Sequence, residues 1–135
     1  MQQQKTNFQI VSEMNIAFGN PKGNPQKFDT QRLRAQMKNV LDEYNEFLEA
    51  TEKLENCIDS GGEGYYDALN DVRDSIVDIQ VFCYGAQHLI GVDANRDMQS
   101  VIDGVMTRFC KTEDELERTK QKFFSKGVTD VYTEG

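Results

Sequence analysis

The sequence predicts an all-α fold, an antiparallel bundle of about five helices that associates into oligomers. Three observations carry this reading. Apolar residues recur at three- and four-residue steps through most of the chain, two capping-box motifs mark helix starts, and no convincing strand alternation exists outside "GVTDVY" at 127–132. Short connections favour antiparallel neighbours. A chain of 135 residues fits one domain with only modest surplus stability, so contacts between subunits would help it.

Taken in order, "TNFQ" at 6–9 has the Thr-x-x-Gln form of a capping box, with Phe8, Val11, Asn15 and Phe18 on one helical face and Gly19 as a stop. "GNPKGNPQKFD" holds both prolines and reads as a loop leading to a second helix near Asp29 or Thr30. From Thr30 to about Cys57, the residues Leu33, Met37, Val40, Leu41, Tyr44, Phe47 and Leu48 predict one long amphipathic helix. "DSGGEG" at 59–64 breaks it. This glycine run follows no strand and lacks the GK[ST] ending of a phosphate loop, so it reads as a connector.

A third helix is expected from about Tyr65 to Ile90, its core stripe Ala68, Leu69, Val72, Ile76, Ile79, Cys83, Ala86 and Ile90. After "GVD" a fourth follows from about Asn95, with Met98, Val101, Ile102, Val105 and Phe109 inward. "TEDE" at 112–115 opens a last helix through Leu116, Lys120 and Phe123 that Gly127 closes. The single domain then divides into a short helix and loop (1–28), a bundle core (29–126) and a tail (127–135).

Composition narrows the function. The excess of 23 Asp+Glu over 15 Lys+Arg gives a net charge of -8, which repels nucleic acid polymers and anionic membranes. Small polyanions stay admissible, because a bound divalent cation reverses the local field. The cysteines Cys57, Cys83 and Cys110 show no CxxC spacing, which argues against a disulfide framework or zinc site and fits a reducing compartment. The start "MQQQKTNF" has no signal-peptide core, so a soluble intracellular protein is expected.

On a helix, Asp71, Asp74 and Asp78 fall within an arc of roughly 60 degrees and make one file of three acids. A charged file of this kind is ordinarily a solvated face. Two details pull the other way: the file continues into Phe82, Gly85 and Leu89, and Val77, Val81 and Tyr84 occupy the remaining face, so the helix's second half is apolar almost all round. Acids at the edge of such a region repel one another and lose hydration unless a cation neutralises them. Glu43 and Glu46, an i, i+3 pair flanking the second helix's apolar stripe, offer two further carboxylates. An all-oxygen donor set matches Mg2+ or Mn2+. Di-iron chemistry needs Glu-x-x-His pairs, whereas the only histidine, His88, has Gly85 at that offset. His88 itself reads as a helix-surface or interface residue.

"DEYNE" at 42–46 resembles the EExxE motif of the MazG-like, or phosphoribosyl-ATP pyrophosphohydrolase-like, all-α nucleotide pyrophosphohydrolases, and "DVRDSIVD" resembles their ExxD motif extended by one turn. The order of "AFGNP", "LRAQMKNVLDEYNEFLEA", "VDIQVFCYGAQHLIGVD" and "MTRFCKTEDELERTKQKFFSKGV" is similar to that of small stand-alone members often carried by phages. The resemblance implies Mg2+-dependent hydrolysis of a nucleoside or deoxynucleoside triphosphate to monophosphate and pyrophosphate, with Mn2+ as a possible substitute. The apolar faces of the third helix are expected to pack into a homodimer or homotetramer, and the resemblance implies the cytoplasm of a bacterial cell.

Carried over by position, Glu43 and Glu46 match the glutamates of EExxE as metal ligands and catalytic residues, one of them available as base, Asp71 and Asp74 match ExxD as metal ligands, and Asp78 is an extra acid for the metal. Asn15, Arg108 and Lys111 would contact the nucleotide and its phosphates. The chain departs from the pattern at Asp71, where the family prefers Glu, at Asn15, where related sequences often have His, and at Val105, where an amide is usual. These departures support an alternative: a catalytically weak relative that binds or sequesters a nucleotide.

Overall fold

The computed structural model describes residues 4–107 and the isolated positions 115, 117, 118 and 121. Four helices are described: α1 Asn7–Ala17, α2 Thr30–Asp59, α3 Tyr65–Ile90 and α4 Ala94–Met106, and no strand occurs among the described residues. The fold is all-α, as the periodicity predicted. Of the last helix expected from "TEDE", Glu115, Glu117, Arg118 and Gln121 are described and helical, while the rest of it, with Phe109, Arg108 and Lys111, lies outside the described residues.

Each start follows from a local hydrogen-bonding need. At Thr6 the capping box forms in full: the Gln9 N–H donates to Thr6 Oγ1 at 3.2 Å, and the Thr6 N–H donates to Gln9 Oε1 at 2.8 Å. At α2, Asp29 Oδ1 accepts from the Gln31 and Arg32 N–H groups at 2.9 and 3.2 Å. The α2–α3 connector is a true break: Gly61, Gly62 and Gly64 take positive φ, which any side chain would oppose. Gly91 ends α3 at φ +88, and a Cβ there would also collide with the Gly23 backbone of the early loop.

Helices α1 to α3 belong to one compact unit, residues 1–94; α4 lies in a second that begins at Asn95. In the first unit α3 is central, with α2 packed along it and α1 on its C-terminal half. The hairpin is antiparallel. Gln36, early in α2, reaches the Phe82 carbonyl, late in α3, at 2.8 Å, while Ala50 lines a cleft with Asp71 and Ser75. The seam follows a three-four repeat: Leu33, Gln36, Val40, Glu43, Phe47, Ala50, Leu54 and Cys57 are the better-covered residues of α2, and Ala68, Val72, Ser75, Ile79, Phe82 and Ala86 are their counterparts on α3.

Several expected core positions turn out to face solvent. Met37, Leu41, Tyr44 and Leu48 stand exposed, because the apolar arc of α2 spans two adjoining faces and α3 covers only one. Ile76, Val77 and Val81 are exposed as well, so the described residues do not enclose α3 on all sides. Met98, Val101, Ile102 and Val105, expected inward, are exposed on α4. Phe18 leaves the α1 face because the helix stops at Ala17 and Phe18 is its cap. Phe8 keeps its place: it is buried and meets Tyr84 edge to face at 5.7 Å.

His88 corrects the surface assignment most sharply, since it is fully buried. Its Nε2 lies 2.7 Å from the Asn20 carbonyl, which only accepts, so Nε2 carries the proton. Nδ1 is then the acceptor for the Ser12 hydroxyl. The His88 carbonyl takes the Gly23 N–H at 3.0 Å. One residue thus pins α1 and the early loop to α3. Replacing His88 by Ala leaves the Asn20 carbonyl and Ser12 hydroxyl without partners and opens a cavity, so chemical denaturation should show a loss of about 3 kcal/mol.

Candidate metal centre

The α2–α3 seam carries the acids. Glu43 sits at a contact position of the three-four repeat, half-buried, rather than flanking the stripe as its sequence neighbours suggested. Glu46, one turn on, lies at the edge of the same face and is exposed. From α3, Asp78 comes to meet them. One carboxylate oxygen from each of Glu43, Glu46 and Asp78 lies within 4.8 Å of the others.

Three carboxylates at this spacing repel, and the structure records the consequence at the deepest of them. Burial first, then a hydrogen bond and charge repulsion from Glu46, then the charges of Asp78 and Asp42, hold the Glu43 carboxyl above the usual carboxylate range. Glu43 Oε2 is buried with no hydrogen-bond partner. A buried carboxylate oxygen without a donor is costly, and a cation facing two further carboxylates would satisfy it. An oxygen-only set of this kind suits Mg2+ or Mn2+, so the residues fit the ion expected from the sequence.

The other two aspartates lie one step along. Asp71 and Asp74 line a neighbouring cleft of about 240 Å³ with Glu46, Glu49, Ala50, Lys53 and Ser75. Glu46 joins the cleft to the cluster. The i, i+3 frame of α3 opposite Glu43 and Glu46 is therefore Ser75–Asp78, one turn later than Asp71–Asp74. Ser75 is buried, and its hydroxyl donates to the Asp71 carbonyl at 2.8 Å. Asp78, read from sequence as the extra acid, is the α3 acid that the geometry brings to both glutamates.

Lys53 was missed by the sequence reading. It follows Glu46 and Glu49 at seven and four residues on α2, a spacing that puts all three on one side, and among the described residues it is the only cation lining that cleft. Asn15 stands apart from the acids, beside Gln36 and Asn39 near the start of α2, with its Nδ2 donating to the Val11 carbonyl at 3.0 Å. In comparisons with protein-family models, curated proteins and solved structures, nothing matches this chain.

The raised Glu43 pKa fixes the sign of a pH effect. The folded chain holds this proton more tightly than the unfolded chain, so the contribution to stability is present below the ordinary glutamate range and is lost as pH rises through the raised value. With metal chelated, the melting temperature should fall across that window. Glu43→Gln should flatten the fall, and added Mg2+ should raise the melting temperature of the native sequence at neutral pH but not that of the variant. A native profile as flat as the variant's would refute the assignment.

Proposed function

We propose that this chain is a Mg2+-dependent hydrolase that cleaves a nucleoside or deoxynucleoside triphosphate to the monophosphate and pyrophosphate. The carboxylate cluster carries the reading: Glu43, Glu46 and Asp78 converge from two helices, and the buried Glu43 oxygen lacks a partner. The family motifs around residues 42–46 and 71–78 support it.

Glu43, Glu46 and Asp78 would hold the ion through carboxylate oxygens. When bound, Mg2+ supplies charge neutralisation for the phosphates and lowers the pKa of a coordinated water. Glu43 and Glu46 are the proposed catalytic pair: a carboxylate oxygen of the pair that is not engaged by the ion accepts the proton of the attacking water. Asp71 and Asp74, in the adjoining cleft with Lys53, keep the field around Glu46 negative and the ion in place. Arg108 and Lys111 enter from the sequence resemblance as phosphate contacts.

Ser75 favours a second reading. A buried serine, bonded to its own helix, stands three residues before Asp78 and leaves the cluster with three carboxylates. A chain with this set can bind a metal–nucleotide complex without turning it over. Calorimetry separates the two: Mg2+-dependent nucleotide binding without product favours sequestration.

Association is part of the proposal. The exposed file Met37, Leu41, Tyr44 and Leu48 repeats at four and three residues, and an apolar stripe of that length on a single chain is what a second copy would cover. In light scattering, Leu41→Glu should reduce a dimer or tetramer to the 15.5 kDa chain, and a native sequence already at that mass would refute the association.

For the activity, pyrophosphate release across a panel of triphosphates is the direct measurement. Glu46→Gln should lower the rate by about a hundredfold or more at unchanged helicity. No turnover by the native chain with Mg2+ or Mn2+, or full activity in Glu46→Gln, would overturn the enzyme reading.

A further inference from the structure

Beyond the acids, the same groove changes chemistry. On α2, Arg32, Gln36, Asn39, Glu43 and Glu46 follow one another at four- and three-residue steps and so share one file. On α3 the antiparallel file runs Asp78, Phe82, Gly85, Leu89. The two files meet acids to acids at one end. At the other end they enclose a cavity of about 330 Å³ lined by Asn15, Asn20, Arg32, Gln36 and Asn39, with Ala35 and Leu89. Asn39 is one helical turn, about 6 Å, from Glu43.

The cavity is built rather than incidental. Gln36 Nε2 donates to the Phe82 carbonyl at 2.8 Å, and Gln36 Oε1 accepts from Asn39 Nδ2 at 3.2 Å, so Gln36 sets the orientation of Asn39. Gly85 makes this possible, because a Cβ there would fall 2.5 Å from Gln36 Nε2. Asn15 Nδ2 is likewise oriented by the Val11 carbonyl. Arg32 Nε lies 3.8 Å from the Asp29 carboxylate, beyond hydrogen-bond distance, and the exposed guanidinium can still engage a ligand. Among the described residues, no carboxylate lines this cavity.

We propose that this cavity is the base subsite, and that it selects bases with a carbonyl at the purine C6 or pyrimidine C4 position, guanine, hypoxanthine, uracil and thymine, over adenine and cytosine, which carry an amine there. The inference rests on the nucleotide reading of the acid cluster. Arg32 decides the selection. A guanidinium only donates, so it pairs with O6 of a purine or O4 of a pyrimidine and would leave the N6 amine of adenine or the N4 amine of cytosine facing another donor. The Oδ1 atoms of Asn39 and Asn15 remain to accept the ring N–H beside that carbonyl. Gln36 acts through Asn39 and is a positioning residue.

The test compares kcat/KM for Mg2+-dependent pyrophosphate release from GTP, ITP, UTP and dTTP with that from ATP and CTP. The keto bases should lead by about tenfold or more. Arg32→Met should erase the lead by lowering the keto-base values, and Gln36→Met should raise their KM at unchanged kcat. Equal turnover of ATP, CTP, GTP and UTP, or a lead that survives Arg32→Met, overturns the subsite while leaving the hydrolase reading intact. If the native chain turns over no triphosphate, calorimetric titration with GMP and UMP against AMP and CMP reads the cavity directly. Keto-base preference there supports the subsite without the reaction, and its absence overturns it.

Discussion

A glutamate in a helix–helix seam is the constraint on which this structure turns. Every other contact position in the middle of α2, Val40, Phe47 and Ala50, is apolar, and Glu43 interrupts them where Asp78 and Glu46 are also present. Packing alone would place a leucine or valine there, and either would stabilise the hairpin. The charge is therefore a cost to the fold, which protonation lessens and a bound cation would offset. It also explains why the hairpin is held so firmly elsewhere: repulsion at the middle of the seam requires attachment at its ends.

Those attachments are polar and local. At the connector, the Cys57 thiol donates to the Glu63 carbonyl, and the glycine turn absorbs the reversal. At the opposite end, Gln36 bonds to the α3 backbone over Gly85, while His88 binds α1 and the loop. The acids lie between these anchors, held at fixed separation by helices that cannot splay independently. Preorganised carboxylates bind an ion without the entropic cost of gathering them.

Much of the fold was legible because helix periodicity, capping boxes and glycine breaks are local signals. Thr6, Asp29, the "GGEG" turn and Gly91 mark boundaries that agree with the structure to within about two residues. What periodicity could not supply is which of two adjoining apolar faces of α2 meets α3, since Met37, Leu41, Tyr44 and Leu48 are as hydrophobic as their inward neighbours. Glu43 at a contact position was unreadable for the same reason. On α3, three aspartates in one file look equivalent in sequence, and only the register of the hairpin brings Asp78 to both glutamates while Asp71 and Asp74 line the adjoining cleft. His88 gave no signal, as its partners lie 68 and 76 residues away.

The two apolar faces of α2 also bear on how the proposed association and the proposed groove would coexist. Taking Glu43 as origin on a helical wheel, Met37, Leu41, Tyr44 and Leu48 fall between roughly 100 and 160 degrees, whereas Arg32, Asn39 and Glu46 fall between about -20 and -60 degrees. The centres of the two sets are nearly opposite. A second copy seated on the outer stripe, as proposed, would therefore bury leucine, methionine and tyrosine while leaving the acid and amide file open to solvent. The same helix thus separates two kinds of surface: an apolar stripe that α3 does not cover, and a file of charged and amide side chains in which Glu43 is held at a cost to the hairpin.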